Sequence, residues 1–128
     1  MPHVLLIEDD PITAETLQAM LEALGHQVVS AATGKEAARL VAQGARPSLV
    51  ITDLLMPDMD GIEIIQHFTA LLPGVPILAV SGTPHGSYLR AAQLLGARAT
   101  LSKPFTLDQL SRALGAVLEP RVSPTARA

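Results

Sequence analysis

The feature that most constrains the fold of this 128-residue chain is a fivefold alternation of short apolar runs with amphipathic stretches. The apolar runs occupy residues 4–7, 27–31, 48–52, 75–80 and 99–101. Such short runs, which do not alternate apolar with polar residues, are typical of strands that are buried on both faces, as in parallel sheets. The pattern therefore predicts five buried strands.

The stretches between the runs carry apolar residues at helical spacing and have recognisable ends. Asp10 can cap a first helix and Pro11 fits its first turn, while Gly25 is a typical helix terminator. The same reasoning predicts four further helices, over residues 34–43, 61–72, 85–95 and 106–118.

Strands that alternate with helices imply a parallel sheet with right-handed crossovers. Five strand–helix units are too few for an eightfold barrel. We therefore predict an α/β fold, a doubly wound (βα)5 flavodoxin-like parallel five-stranded sheet of order 2-1-3-4-5. Residues 1–118 form this domain, and residues 119–128, which contain two prolines and no apolar periodicity, are expected to form a flexible C-terminal tail.

Composition excludes several function classes. The chain has no cysteine, which rules out a disulfide framework, thiol catalysis and a zinc-thiolate site. The chain has only three aromatic residues, which argues against a surface that stacks on the bases of single-stranded nucleic acid. Its formal net charge of −3 argues against a broad surface that binds the phosphates of nucleic acid. Neither a signal peptide nor an apolar run of about 20 residues is present. We expect a soluble cytoplasmic protein with no nucleic-acid and no membrane partner.

Polar side chains follow four of the five predicted strands. Acids occupy residues 8–10 after the first strand, Asp53 follows the third, Ser81 the fourth and Lys103 the fifth. In doubly wound sheets, ligands bind outside the carboxyl ends of the strands near the point where the strand order reverses. Carboxylates, a hydroxyl and an ammonium are therefore expected to converge on one edge of the sheet.

These residue types suit magnesium and a phosphoryl group. Clustered carboxylates repel one another unless a cation lies among them, and hard oxygen ligands with little nitrogen favour Mg²⁺. Lys103 and the Ser81 hydroxyl can both hold phosphoryl oxygens. Asp53, at the end of a central strand, is the best placed nucleophile for an aspartyl-phosphate route.

Four segments resemble the motifs of response regulator receiver domains of two-component signalling. They are VLLIEDDP at 4–11, ITDLLMPDMDG at 51–61, AVSG at 79–82 and LSKPF at 101–105. Asp9 lies 44 positions before Asp53, and Asp53 lies 28 before Ser81. A further 22 positions lead to Lys103, and these separations also agree with the family pattern. Each motif alone is weak, but all four in this order are specific, and the resemblance covers residues 3 to 118.

The resemblance implies a role for each acidic position. Asp53 corresponds to the phosphoacceptor. Asp9 and Asp53 correspond to the direct ligands of Mg²⁺, the backbone carbonyl of Leu55 completes the protein ligands, and Glu8 acts on the ion through water. Asp10 is read as a helix cap rather than a ligand.

The resemblance also assigns the remaining site residues. Ser81 takes the place of the family's Thr or Ser hydroxyl that contacts the phosphoryl group. Lys103 corresponds to the lysine that pairs with a phosphoryl oxygen and, before phosphorylation, with Asp53. The peptide bond between Lys103 and Pro104 is cis in the family, and Gly82 leaves room for a phosphodonor to approach.

The implied function is that of a stand-alone response regulator in a phosphorelay. A histidine kinase or phosphotransfer protein donates the phosphoryl group, with Mg²⁺ as cofactor. An unknown output protein is expected at the face formed by the fourth predicted helix, the fifth strand and the fifth helix. The chain is not expected to be an enzyme beyond self-phosphorylation and autodephosphorylation at Asp53.

Two alternatives remain beside this interpretation. A Mg²⁺-dependent aspartyl-phosphate phosphohydrolase also uses an aspartate nucleophile, but such enzymes usually carry a second Asp where this chain has Leu55. A purely structural pseudo-receiver is disfavoured by the complete acidic, serine and lysine set.

The chain departs from the family pattern at one position that matters for signalling. Thr100 stands three residues before Lys103, where receiver domains usually carry Tyr or Phe, so the usual aromatic switch is incomplete. Tyr88 either supplies an aromatic switch from the fourth predicted helix or serves packing. Leu55 offers no hydrogen bond to a hydrolytic water, which predicts a long-lived phosphoryl group, although Thr83 can also orient a water.

Overall fold

The computed structural model describes residues 3–54, 61–82, 90, 92–93 and 96–118. These residues form one parallel sheet with helices on both of its faces. The strands are β1 (His3–Ile7), β2 (Gln27–Ala31), β3 (Leu49–Asp53), β4 (Ile77–Ser81) and β5 (Ala99–Ser102). The helices are α1 (Pro11–Ala23), α2 (Gly34–Ala42), α3 (Gly61–Leu71) and the C-terminal helix (Leu107–Leu118).

The strand order is β2-β1-β3-β4-β5, and every neighbouring pair is parallel. This confirms the predicted doubly wound sheet and its order. The order reverses between β1 and β3, which are direct neighbours although β2 lies between them in the chain. The carboxyl ends of these two strands therefore border the crevice in which such folds bind ligands.

The core consists of two apolar layers because successive strand residues point to opposite faces of the sheet. Leu5 and Ile7 of β1 lie in one layer, and Val4 and Leu6 lie in the other. Helices α2 and α3 cover the first layer with Ala37, Val41, Ile64, Ile65 and Phe68. Helix α1 and the C-terminal helix cover the second layer with Leu17, Leu21, Leu110, Leu114 and Val117.

Four of the five strands differ by one or two residues at their ends from the sequence prediction, and β2 agrees with it. β3 extends to Asp53, which pairs with Val80 of β4, so the candidate phosphoacceptor is the last residue of the strand. β4 begins at Ile77 rather than at Val75. Pro76 has no N–H to donate to the ladder, although its carbonyl still accepts from Val50 at 3.0 Å.

Polar side chains cap two of the described helices, at Asp10 as predicted and at Thr106. Asp10 caps α1: its side chain accepts the Thr13 N–H, and Pro11 occupies the first helical position. Thr106 caps the C-terminal helix through a reciprocal pair of bonds. The Gln109 N–H donates to the Thr106 hydroxyl at 3.1 Å, and the Thr106 N–H donates to the Gln109 side chain at 2.8 Å. Such a capping box satisfies two backbone donors that would otherwise lack partners.

The predicted helix over 85–95 lies mostly outside the described residues. Arg90, Ala92 and Gln93 are helical, and the chain turns at Gly96, where φ is +130°. A Cβ at Gly96 would lie 2.9 Å from the Thr69 hydroxyl, so glycine serves both the backbone conformation and the close approach to α3. The expected tail over 119–128 also lies outside the described residues. Among the helices described, none is long and apolar enough to span a bilayer.

Candidate functional site

Backbone hydrogen bonds extend the sheet by one residue beyond several strands and so position the site residues. The Glu8 N–H donates to the Ala31 carbonyl at 3.0 Å, which continues the pairing of β1 with β2. The Lys103 N–H donates to the Ser81 carbonyl at 2.8 Å, which continues the pairing of β4 with β5. The residues after the strands are therefore held by the same ladder that holds the strands.

The sheet brings three carboxylates together as predicted. One oxygen from each of Glu8, Asp9 and Asp53 lies within 4.8 Å of the other two. Glu8 is 2% exposed and Asp53 is 9% exposed, whereas Asp9 faces solvent. All the donors are carboxylate oxygens, which suit a hard cation such as Mg²⁺ that keeps several waters. The residues present therefore fit the ion that the sequence predicted.

Lys103 reaches into this cluster and contacts two of its members. Its Nζ lies 3.3 Å from Asp53 Oδ2, which is the pairing that the resemblance implied. The same Nζ lies closer to Glu8 Oε1, at 2.7 Å. The sequence does not predict this shorter contact, because the resemblance assigns Glu8 only the role of a ligand that acts through water.

A sequence signal for the unpredicted contact exists in the alternation along the strands. Glu8 follows Val4 and Leu6 by an even number of positions. Asp53 likewise follows Leu49 and Ile51 by an even number of positions. Those four apolar residues all lie in the core layer beneath α1 and the C-terminal helix. Because side chains alternate with a period of two, both acids extend the same face of the sheet, and Lys103 meets them there.

Both oxygens of the Glu8 carboxylate have hydrogen-bond partners. Oε1 accepts from Lys103, and Oε2 accepts the Asp10 N–H at 3.2 Å. Asp10 is also the cap of α1, so this bond ties the buried acid to the start of the helix. The Glu8 side chain is therefore held in one orientation at the floor of the site.

Burial and neighbouring charges shift two pKa values. Burial raises the pKa of the Glu8 carboxyl, and the Asp53 carboxylate raises it further, against the lowering effect of the Lys103 hydrogen bond. Burial lowers the pKa of the Lys103 ammonium, but the hydrogen bond to Glu8 and the charges of Asp53 and Glu8 outweigh burial. The pKa of Lys103 is therefore raised, and the side chain remains charged at neutral pH.

Ser81 and Gly82 form the other side of the site. Ser81 is the last residue of β4 and is fully buried, and its register partner is Ser102 of β5. Gly82 is exposed, and a Cβ built on it would make ordinary contacts of 3.8 Å with the Lys103 side chain. Packing does not require glycine here, and the room for a phosphodonor that the resemblance implies stays a prediction.

An open groove of about 480 Å³ begins beside Lys103 and runs along α1. Its walls are largely apolar, and Ile12 at its rim is 75% exposed. The groove is lined by Ile12, Thr13, Thr16, Leu17, Met20, Gly82 and residues 103–105.

Other sequence expectations have mixed outcomes. The Lys103–Pro104 peptide bond is cis, as the resemblance implied. Thr100 is half-buried in β5 and pairs with Ala79, so the described part of this strand carries no aromatic switch. Leu55, Thr83 and Tyr88 lie outside the described residues, and the roles predicted for them stay predictions.

Comparisons with known proteins agree with this geometry. The profile of the family described as "Response regulator receiver domain" matches residues 4–115. The transcriptional regulatory protein GlrR of Escherichia coli K12 is 35% identical over 119 residues, which cover 91% of this chain and 26% of GlrR. This chain spans about half or less of the length of such curated relatives.

Solved structures show the same fold. The chemotaxis response regulator CheY4 of Vibrio cholerae matches with a TM-score of 0.82 and 30% identity, over 92% of this chain and 99% of CheY4. The receiver domain of the sensor histidine kinase PA1611 of Pseudomonas aeruginosa PAO1, solved with a magnesium ion in its active-site cleft, matches with a TM-score of 0.80 and 28% identity. That match covers 91% of this chain and 97% of the PA1611 domain. The chain therefore belongs to the response regulator receiver domains of two-component signalling.

Proposed function

We propose that this domain accepts a phosphoryl group on Asp53 from a histidine kinase or a histidine phosphotransfer protein, with Mg²⁺, and signals through protein–protein contacts. The observation that carries the proposal is the contact of the Lys103 ammonium with Asp53 at 3.3 Å, at the edge of a three-carboxylate cluster. The domain comprises residues 1–118, followed by a tail over 119–128, and acts in the cytoplasm.

The proposed reaction transfers a phosphoryl group from a histidine nitrogen of the donor to a carboxylate oxygen of Asp53. An Asp53 carboxylate oxygen attacks the phosphorus of a phosphohistidine, and a new P–O bond forms as the P–N bond breaks. The electron pair of the broken bond returns to the imidazole nitrogen. Lys103 and the Ser81 hydroxyl donate hydrogen bonds to phosphoryl oxygens and so stabilise the charge that these oxygens carry.

The acidic cluster supplies the magnesium ligands in this proposal. Asp9 and Asp53 hold the ion directly, the Leu55 carbonyl completes the protein ligands, and Glu8 acts through water. When bound, Mg²⁺ neutralises part of the charge on the phosphoryl oxygens. The magnesium ion in the similar PA1611 receiver domain supports this assignment.

The groove along α1 is the proposed approach for the phosphodonor. It opens at Lys103 and Gly82, so a donor helix that lies in it brings its phosphohistidine next to the site. The exposed Ile12 side chain at its rim offers an apolar contact of the kind that anchors protein interfaces.

The output partner is proposed to bind the face formed by the region of the helix over 85–95, β5 and the C-terminal helix. β3 and β4 are buried throughout, whereas β5 has no fully buried residue. This edge strand is therefore less covered than β3 and β4. The proposed partner is a protein rather than a nucleic acid, because the chain carries a net charge of −3.

Labelling with radioactive acetyl phosphate and Mg²⁺ tests the proposal. The parent protein is expected to become labelled, and Asp53→Asn to remain unlabelled, because the amide lacks the carboxylate nucleophile. Asp108→Asn is the matched control, since Asp108 is an exposed acid on the C-terminal helix that pairs with Arg112. Labelling of Asp53→Asn, or of a peptide that lacks Asp53 in the parent, would refute the assignment.

A further inference from the structure

We propose that Arg98 is a latch that holds the end of the C-terminal helix on the sheet, and that the last turn of this helix opens locally when the latch is released. Arg98 directly precedes β5, and its guanidinium reaches the helix end, 19 positions further along the chain. The inference goes beyond the proposed function, because the latch acts whether or not Asp53 carries a phosphoryl group.

Two hydrogen bonds join Arg98 to two parts of the fold. Its backbone N–H donates to the Ile77 carbonyl at 2.8 Å, which extends the pairing of β5 with β4 by one residue. Its Nη1 donates to the Val117 carbonyl of the C-terminal helix at 3.0 Å. Because β4 is buried throughout, the first bond anchors the arginine to the interior of the sheet. The second bond then ties the helix end to this anchored residue.

The last turn of the C-terminal helix carries no basic side chain of its own. The last four carbonyls of a helix have no intrahelical donor, and the Val117 carbonyl is one of them. A positive charge at this end of a helix is stabilising, because the helix dipole is negative there. Arg98 therefore supplies from the sheet both a donor and a positive charge that the helix itself lacks.

The surroundings of the bond shield it from water. Arg98 is half-buried, and the Val117 side chain is fully buried in the apolar layer beneath α1 and the C-terminal helix. Ala99, the first residue of β5, packs against the same layer. Water therefore competes for this bond less than for a bond at the surface, so its loss is expected to weaken the helix end.

The end of α2 shows the same capping chemistry in a local form. Arg46 Nη1 donates to the Val41 carbonyl at 3.1 Å and to the Ala45 carbonyl at 2.8 Å. Arg46 is exposed and lies five positions from Val41. The Arg98 bond differs because it joins two elements that are distant in sequence, and Arg46 therefore offers a matched control.

Native-state amide hydrogen exchange, read residue by residue by NMR, tests the latch. Arg98→Met keeps an apolar stem and removes the guanidinium. The amides of residues 115–118 are expected to exchange about fivefold faster in this variant, as the loss of a partly buried cation at a helix end predicts. The amides of residues 41–44 are expected to change by less than about twofold, because the end of α2 opens without breaking the Arg98 contact.

Two further variants sharpen the test. Arg46→Met is expected to give the reverse pattern, with faster exchange at residues 41–44 and less than about a twofold change at 115–118. Gly115→Ala supplies a rescue, because a Cβ at Gly115 meets nothing within 4 Å and alanine favours a helix more than glycine does. In the Arg98→Met background, it is expected to restore most of the lost protection at residues 115–118.

Unchanged protection of residues 115–118 in Arg98→Met would overturn the proposal. Equal acceleration at residues 41–44 would also overturn it, because the substitution would then weaken the whole domain rather than one helix end. Failure of Gly115→Ala to restore protection would overturn the local opening of the last turn. Arg98→Gln replaces Arg98→Met if circular dichroism shows that the latter does not fold, and it carries the same expectations.

Discussion

Replacement of Asp9 by Asn is expected to stabilise the fold when Mg²⁺ is absent. When Mg²⁺ is present, the variant is expected to be less stable than the parent. The substitution keeps the shape of the side chain and removes one negative charge from a cluster whose oxygens lie within 4.8 Å of one another. Without metal, the removal of like-charge repulsion stabilises the fold. With metal, the variant lacks a direct ligand and gains less from the ion.

The size of the stabilisation without metal follows from the distance between the carboxylate charges and from the exposure of Asp9. Two unit charges 4.8 Å apart repel by about 3.5 kcal/mol at an effective dielectric constant of about 20, and by about 0.9 kcal/mol in water. Asp9 is exposed, and Lys103 offsets part of the charge of its neighbours, so the lower value applies. We expect Asp9→Asn to be more stable by about 1 kcal/mol, or about 4 °C in Tm.

The magnitude with metal follows from mass action. At a Mg²⁺ concentration 100 times the Kd, a site that binds only the folded state stabilises it by about 2.7 kcal/mol. The parent is expected to gain this amount and the variant to lose most of it. The variant should therefore be the more stable protein in EDTA and the less stable one in Mg²⁺.

Thermal unfolding followed by circular dichroism, in EDTA and in MgCl₂, measures both effects. Asp108→Asn is the control for the loss of one negative charge, because Asp108 lies on the exposed face of the C-terminal helix. The reasoning fails if Asp9→Asn is destabilised in EDTA, or if Mg²⁺ raises the Tm of the variant as much as that of the parent.

Three further predictions concern the lysine and the phosphorylated state. Lys103→Ala is expected to retain some phosphorylation but to lose the conformational response, because the ammonium can no longer follow a phosphoryl oxygen; unchanged phosphorylation-induced amide shifts in NMR spectra would contradict this. The pKa of Lys103 is higher in the folded protein than its ordinary value of 10.5. The contribution of its ion pairs to the stability of the metal-free fold is therefore fully present below pH 10.5, and it is lost as pH rises through the folded-state pKa. The urea midpoint of the parent should therefore fall more steeply than that of Lys103→Met above pH 10.5, and parallel curves would refute the assignment. Leu55→Asn is expected to shorten the lifetime of the Asp53 phosphate several-fold, since an amide can orient the hydrolytic water; equal or slower decay of the radiolabel would show that this side chain does not limit water.

The sequence by itself determined the fold and the edge at which the site lies. Buried runs that alternate with helical stretches leave the parallel doubly wound sheet as the natural solution, and the structure has that order. Helix ends were also readable, because Asp10 and Thr106 satisfy backbone donors within their own first turns. These features depend on contacts between residues close in sequence or on simple periodicity.

Only the tertiary structure decided which of the acids pair with the Lys103 ammonium, and at what distance. Glu8 and Asp9 are adjacent carboxylates that sequence reasoning distinguishes only by analogy. The ladder continues through Glu8 to Ala31, which directs Glu8 inward beneath α1 and the C-terminal helix and leaves Asp9 in solvent. Lys103 comes from 95 positions away and meets the buried acid more closely than it meets Asp53. The distances depend on strand register, helix placement and desolvation together, and these are set by the packed sheet rather than by local sequence.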